Sequence, residues 1–253
     1  PNIIRKIINA FGPRADETVI EIGPGTGALT DQLVAVAGRV IAVEFDKNLA
    51  PVLERRYEAN SNFTLVRADA LSVDFCSLLD SVPKSRVIAN LPYNVSTAIL
   101  QRLILQRSCL SEMVLMLQKE VADRMVAPPG GKDRGYLSVL VEAHCQTEKL
   151  FDVSPGAFSP PPKIWSTVIR LNFKDATAPG GDESLFMATV SAGFAQKRKT
   201  ILNNFRNATG ELQEVLKRNG GASIVLCKAE VELQRRAETL TFEEWDRIVR
   251  AMR

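Results

Sequence analysis

The sequence predicts an α/β protein: a doubly wound, Rossmann-like parallel sheet followed by a small, all-helical C-terminal domain. Three observations carry that prediction. Short apolar runs alternate with helically patterned segments through the first two thirds of the chain, as parallel strands with crossover helices do. A Gly-, Pro- and acid-rich stretch, "KDATAPGGDES" (174–184), then reads as a linker. Beyond it only helical periodicity remains. The predicted domains are residues 1–175 and 183–253.

The strands follow from continuous apolar runs, which a sheet covered on both faces requires. They are "TVIEIG" (18–23), "RVIAVEF" (39–45), "FTLVRAD" (63–69), "RVIANLP" (86–92) and "EMVLMLQ" (112–118). Residues 29–37 and 49–59 have helical spacing. "TEKLFDV" and "STVIRLNF", separated by a Pro-rich loop, predict a last antiparallel pair at the sheet edge. Near the C-terminus, Thr241 and Glu244 predict a capping box, with Phe242, Trp245, Ile248, Val249 and Met252 on one helical face.

Composition narrows the class. The 253 residues are 45% hydrophobic and 24% charged, as in ordinary globular domains. No run approaches the ~18 apolar residues of a membrane span, and the first residues, "PNIIRKIINAFG", lack a secretory pattern. No membrane partner is expected. The expected compartment is the cytoplasm, with an organelle as the alternative, and the expected state is a monomer. Cys76, Cys109, Cys145 and Cys227 have no CxxC spacing and are expected as reduced thiols, while His144 is the only histidine. That argues against a metal centre and a Ser-His-Asp hydrolase. The formal charge of +3 is mild, but Lys197, Arg198, Lys199, Arg206, Lys217 and Arg218 crowd residues 194–218 against Glu211 and Glu214. Such a run is either a solvated helix face or a surface for an anion.

The chemistry-bearing residues fall at strand ends. "EIGPGTGALT" follows the first strand and sets Gly23, Gly25 and Gly27 in a turn where a ligand can lie against backbone. The third glycine comes one residue too early for a dinucleotide fingerprint, and Glu21 precedes the loop. Both features suit a ligand with no phosphate and a charged amino-acid end, such as S-adenosylmethionine. Glu44 ends the second strand, where a carboxylate accepts from ribose hydroxyls, and Asp69 ends the third, in reach of an adenine amine. The fourth strand breaks into Asn90, Leu91, Pro92 and Tyr93, at the edge where α/β sheets gather ligands. A bare strand-ending turn is the other reading of that break.

"EIGPGTGALT", the Glu44 strand, "RADAL", "NLPYNVST" and "GAFSPPPKIWSTVIRL" together resemble, in order and spacing, the KsgA-like ribosomal RNA adenine dimethyltransferases. The likeness runs over nearly the whole chain, including the helical tail with "QKRKT". It implies dimethylation of two adjacent adenines in small-subunit rRNA, coupled to ribosome biogenesis, with pre-small-subunit particles as partners. It implies S-adenosylmethionine at Glu21, Gly23, Gly25, Gly27, Glu44, Asp69, Ala70 and Asn90. It implies Asn90, Leu91, Pro92, Tyr93 and Phe158 around the target adenine. Lys197, Arg198, Lys199 and Arg206 are implied to grip RNA, in a surface that Arg102, Arg107, Lys119, Arg124, Lys132 and Arg134 extend. Family members also have a "GQNFL"-like segment upstream, expected to close over the cofactor. Modification of large-subunit rRNA, a non-catalytic nucleic-acid-binding role and an NAD-dependent oxidoreductase are the competing readings.

Overall fold

The computed structural model describes residues 2–79, 84–92, 94–158, 161–174 and 178–253. Along the chain run α1 (Asn2–Phe11), β1 (Thr18–Ile22), α2 (Thr30–Leu33), β2 (Arg39–Glu44), α3 (Leu49–Arg56) and β3 (Phe63–Arg67). Then come β4 (Ser85–Asn90), α4 (Ser96–Leu105), β5 (Leu110–Gln118), α5 (Lys119–Met125), α6 (Tyr136–His144), β6 (Cys145–Val153) and β7 (Ser166–Phe173). The chain closes with α7 (Glu183–Gly193), α8 (Ile201–Arg206), α9 (Gly210–Arg218), α10 (Ala222–Lys228) and α11 (Phe242–Arg250).

The seven strands form one sheet in the order β3-β2-β1-β4-β5-β7-β6. β1 to β5 pair in parallel, and β7 runs antiparallel to β5. The order reverses between β1 and β4, so the crevice between their carboxyl ends is the natural ligand position. The five parallel strands stand where the apolar runs predicted them, shifted by a residue or two at their ends. β7 and β6 are neighbours, as expected, with β6 at the edge.

Two compact units divide the chain: residues 1–122 with 146–174, and residues 123–145 with 175–253. The sequence pattern alone keeps 123–145 with the sheet. Their place in the helical unit follows from α6, whose Val139 and Ala143 join Phe186, Phe205, Trp245 and Ile248 in that unit's core. His144 lies buried there with its Nε2 2.9 Å from the Glu183 carboxylate. At the C-terminus the capping box forms as predicted: the Glu244 amide donates to the Thr241 hydroxyl and the Thr241 amide to the Glu244 carboxylate. Asp175 to Thr177 of the predicted linker lie outside the described residues, and α7 already begins within its last part.

Two expectations need correction. Cys76 and Cys109 are joined by a disulfide, with Cα atoms 5.5 Å apart. They are 33 positions apart in sequence, with β4 and α4 between them, so spacing gives no sign of the adjacency. Cys145 and Cys227 are free thiols. Arg134 is no surface cation: it is buried, donating to the Ala127 and Leu240 carbonyls and pairing with Glu142 at 2.6 Å. Arg102 likewise donates to the Val73 carbonyl, and Lys119 pairs with Asp152.

Candidate active site

The sheet unit builds its site from the carboxyl ends of β1, β2, β3 and β4. After β1 the chain turns through Gly23 and Gly25, whose positive φ values of 68° and 59° suit only glycine without strain. A Cβ at either position would meet no atom within 4 Å. The backbone there faces open space, ready for close approach by a ligand. The loop is nonetheless pinned. The Gly23 amide donates to the Val43 carbonyl, and the Gly25 amide donates to the Glu44 carboxylate at 3.1 Å. At Gly27 a Cβ would collide with the Tyr57 hydroxyl, whose single proton lies within reach of the Gly27 carbonyl at 3.0 Å and the Asp31 carboxylate at 2.8 Å.

Glu44 is the organising acid. It is 7% exposed, and its other oxygen accepts from the Asp46 amide at 2.8 Å. A carboxylate has about four acceptor positions, so two amides orient it and leave capacity for a ligand's hydroxyls. Beyond it lies a cavity of about 290 Å³ lined by Gly23, Glu44, Phe45, Asp69, Ala70 and Pro92 among others. A second hollow of about 420 Å³ adjoins it around Glu44, Asp46 and Asp69. Asp69 is itself held in place, accepting from the Leu71 amide. Phe45, 70% exposed, and Leu71 offer apolar surface in the same cavity. Neither is singled out by the sequence pattern. An aromatic directly after a strand-ending acid is the signal that points to Phe45.

Glu21 occupies a different place from the other acids. It is 1% exposed, does not line the cavity, and accepts from the Thr30 hydroxyl at 2.7 Å. Burial, with the nearby Glu44 and Asp31 charges adding to it against the Thr30 bond, pushes its pKa up to about 7.

On the other side of the crevice β4 ends at Asn90, which pairs with Met116 and is solvent-exposed. Leu91 then turns inward to 1% exposure, its amide donating to the Met116 carbonyl. Pro92 and Asn94 line the cavity, and the Val95 amide donates back to the Pro92 carbonyl. The structure thus brings Gly23, Glu44, Asp69, Ala70 and the Asn90 turn to one edge. Phe158 is half-buried against core residues of the same unit. Tyr93, and Ser159 and Pro160 of the "FSPPP" run, lie outside the described residues. Lys197, Arg198, Lys199 and Arg206 are exposed in the helical unit.

The fit to a nucleoside with an amino-acid end is good: open glycine backbone, an oriented carboxylate, and apolar walls in one cavity. The family model for "Ribosomal RNA adenine dimethylase" matches residues 1–247. This chain belongs to that family. The "Ribosomal RNA small subunit methyltransferase A" of Pseudomonas aeruginosa is 42% identical over 205 residues, 81% of this chain and 76% of that protein. The protein of that name from Acidobacterium capsulatum is 43% identical over 208 residues, covering 82% and 74%. Among solved structures, a dimethyladenosine transferase from Plasmodium falciparum superposes with a TM-score of 0.80 at 27% identity, covering 98% of this chain and 94% of that one. The "23S rRNA methyltransferase ErmE" shares the fold, with a TM-score of 0.67 at 21% identity and 99% and 97% coverage. The chain is accordingly an rRNA adenine dimethyltransferase with S-adenosylmethionine as its methyl donor.

Proposed function

We propose that the substrate is small-subunit rRNA within pre-small-subunit particles, that two adjacent adenines are dimethylated, and that Asn90 to Tyr93 perform the transfer. The observation that carries the reading is an exposed asparagine at the carboxyl end of β4, followed by a pinned, proline-bearing turn beside the glycine-loop cavity. The curated relatives' shared small-subunit name supports the choice of RNA.

The adenine amine is a poor nucleophile because its lone pair is delocalised into the ring. Asn90 Oδ1 and the Leu91 carbonyl accept from its two hydrogens and turn the lone pair out of the ring plane. Leu91 is suited to this because its amide and buried side chain fix the turn. Pro92 restricts the direction of the carbonyl before it. The cofactor supplies a methyl group on a positively charged sulfur, a strong electrophile. The amine therefore needs no prior deprotonation. Its excess proton leaves to water after transfer, which is consistent with a site built without histidine. A monomethylated amine keeps its lone pair and one hydrogen, so in a second round one of the two acceptors takes that hydrogen while the methyl group occupies the place of the other. Tyr93 and Phe158 stack on the two faces of the extruded base. The gain comes from orientation and preorganised dipoles.

Glu44 holds the cofactor's ribose, Phe45 and Leu71 its adenine, and the glycine loop its amino-acid end. Lys197, Arg198, Lys199 and Arg206 hold RNA phosphates, which positions the substrate without reading sequence. The compartment is the cytoplasm, where pre-small-subunit particles of a bacterial cell are found. No helix among the described residues is long and apolar enough to cross a membrane.

The test uses methyl-labelled S-adenosylmethionine with naked small-subunit rRNA, immature small subunits and large-subunit rRNA. Digestion to nucleosides is expected to yield labelled dimethyladenosine from small-subunit RNA, most of it from immature particles. Label in large-subunit RNA alone would overturn the choice of substrate.

A further inference from the structure

The strand register brings a second aromatic to the catalytic edge of the sheet. Asn90 of β4 pairs with Met116 of β5, Met116 with Val168 of β7, and Gln118 with Ser166. Trp165, just before β7, therefore emerges at the sheet edge where β4 ends. It lies two strands across from Asn90, about 10 Å, and three residues along, about 10 Å. Its backbone is anchored, the Lys119 amide donating to its carbonyl at 2.9 Å. The residue is 51% exposed beside the exposed Ile164 and Lys163. The chain's other tryptophan, Trp245, is completely buried in the helical unit.

A large indole on a pinned backbone, open to solvent and next to a lysine, is a poor arrangement for stability alone. It is a good one for a partner that combines flat rings with negative charge. RNA has both, and RNA has to reach this edge if its adenine is to meet Asn90. We propose that Trp165 is a stacking platform for a nucleotide flanking the target adenine, with Lys163 against that nucleotide's phosphate. The inference rests on the rRNA-methyltransferase reading above. Trp165 touches no reacting atom in this scheme. It is a positioning residue, which holds the strand so that the neighbouring base reaches the crevice.

The two tryptophans make the test direct. A single-stranded RNA oligonucleotide with two adjacent adenines is titrated into the full chain while tryptophan emission is followed. Saturable quenching is expected from the wild type and none from Trp165→Phe, whose remaining emission comes from Trp245. In steady-state methylation, Trp165→Ala is expected to raise KM for RNA roughly 5- to 100-fold, as loss of one stacked base does. Its kcat at saturating RNA stays within about twofold, since no group at the reacting centre has changed. Trp165→Phe, which keeps a smaller ring and reports on folding, falls between Ala and wild type. Wild-type methylation with an unchanged KM in Trp165→Ala would overturn the proposal, as would quenching that persists in Trp165→Phe. Sedimentation revealing self-association that Trp165→Ala abolishes would assign the patch to a second copy and also overturn it. No methyl transfer by the wild type to any rRNA would overturn the underlying reading instead.

Discussion

The two sides of the crevice are built differently. On the β1–β2 side the polar groups are committed before a ligand arrives: Gly23 to Val43, Gly25 and Asp46 to Glu44, Thr30 to Glu21. On the β4 side, Asn90 stands exposed on a turn whose backbone is fixed by Leu91 and Pro92. The first side is a mould for a small molecule of constant shape. In the proposed mechanism the second presents acceptors to an amine that arrives on a large and variable partner. Binding strength is expected to reside in the first and rate in the second.

Substitutions can break that division. The largest effect is expected from Asn90→Ala, which in the proposed mechanism removes an acceptor used only as the lone pair is directed at the methyl. Transfer should slow by roughly 10²- to 10³-fold, comparable to deleting one preorganised hydrogen-bonding group elsewhere. Cofactor affinity should fall less than about tenfold, the loss of one neutral hydrogen bond. Single-turnover rates and equilibrium binding measured on the same preparation check both.

Glu44→Ala should act the other way. Loss of a charged acceptor that also orders the Gly25 and Asp46 amides is expected to weaken S-adenosylmethionine binding by one to two orders of magnitude, roughly 1.5–3 kcal/mol. Calorimetric titration reads that directly. Phe45→Ala is expected to cost roughly tenfold in the same titration, as one missing aromatic face does. An unchanged affinity would remove Phe45 from the pocket.

Neutralising Lys197, Arg198 and Lys199 together should leave cofactor binding untouched. The slope of log affinity for single-stranded RNA against log salt should drop by about 2, near 0.7 for each phosphate that no longer meets a cation. A slope equal to that of the wild type would return the three cations to the class of solvated surface.

A last effect concerns stability and pH rather than binding or rate. Glu21 has its pKa raised from 4.5 to about 7. The unfolded chain releases this proton near 4.5, whereas the folded one holds it to about 7, so the group's contribution is full below 4.5 and is lost as pH rises towards 7. Glu21→Gln keeps an acceptor for the Thr30 hydroxyl and has no proton to lose. Its stability should fall less steeply than that of the wild type across this window, by a difference on the order of 3 kcal/mol at most. Parallel curves would mean that the burial of Glu21 is relieved in solution.

Much of the sheet is legible because a strand buried on both faces has to be apolar throughout, so β1, β2, β4 and β5 announce themselves; β3, an edge strand with no buried residue, is read from its aromatic and β-branched residues. The glycine loop, Glu44 and Asp69 are legible for a related reason: each follows directly from a strand end. What escapes depends on neighbours distant in sequence. The Cys76–Cys109 bridge spans a strand and a helix, and the burial of Arg134 depends on Leu240 from another segment. The burial of Glu21 against Thr30 also escapes, because loop spacing does not reveal which way a strand residue points. Phe45 passes for the last apolar residue of a strand, although it stands 70% exposed and lines the pocket.

The most direct test of the division is to compare Asn90→Ala and Glu44→Ala side by side, measuring cofactor affinity without RNA and single-turnover transfer at saturating cofactor and RNA. The expected pattern is crossed. Asn90→Ala binds S-adenosylmethionine nearly as the wild type does and transfers slowly. Glu44→Ala binds weakly and, once saturated, transfers within about tenfold of the wild-type rate. If both variants lose affinity and rate in equal measure, the crevice acts as a single unit and its two sides have no separate roles.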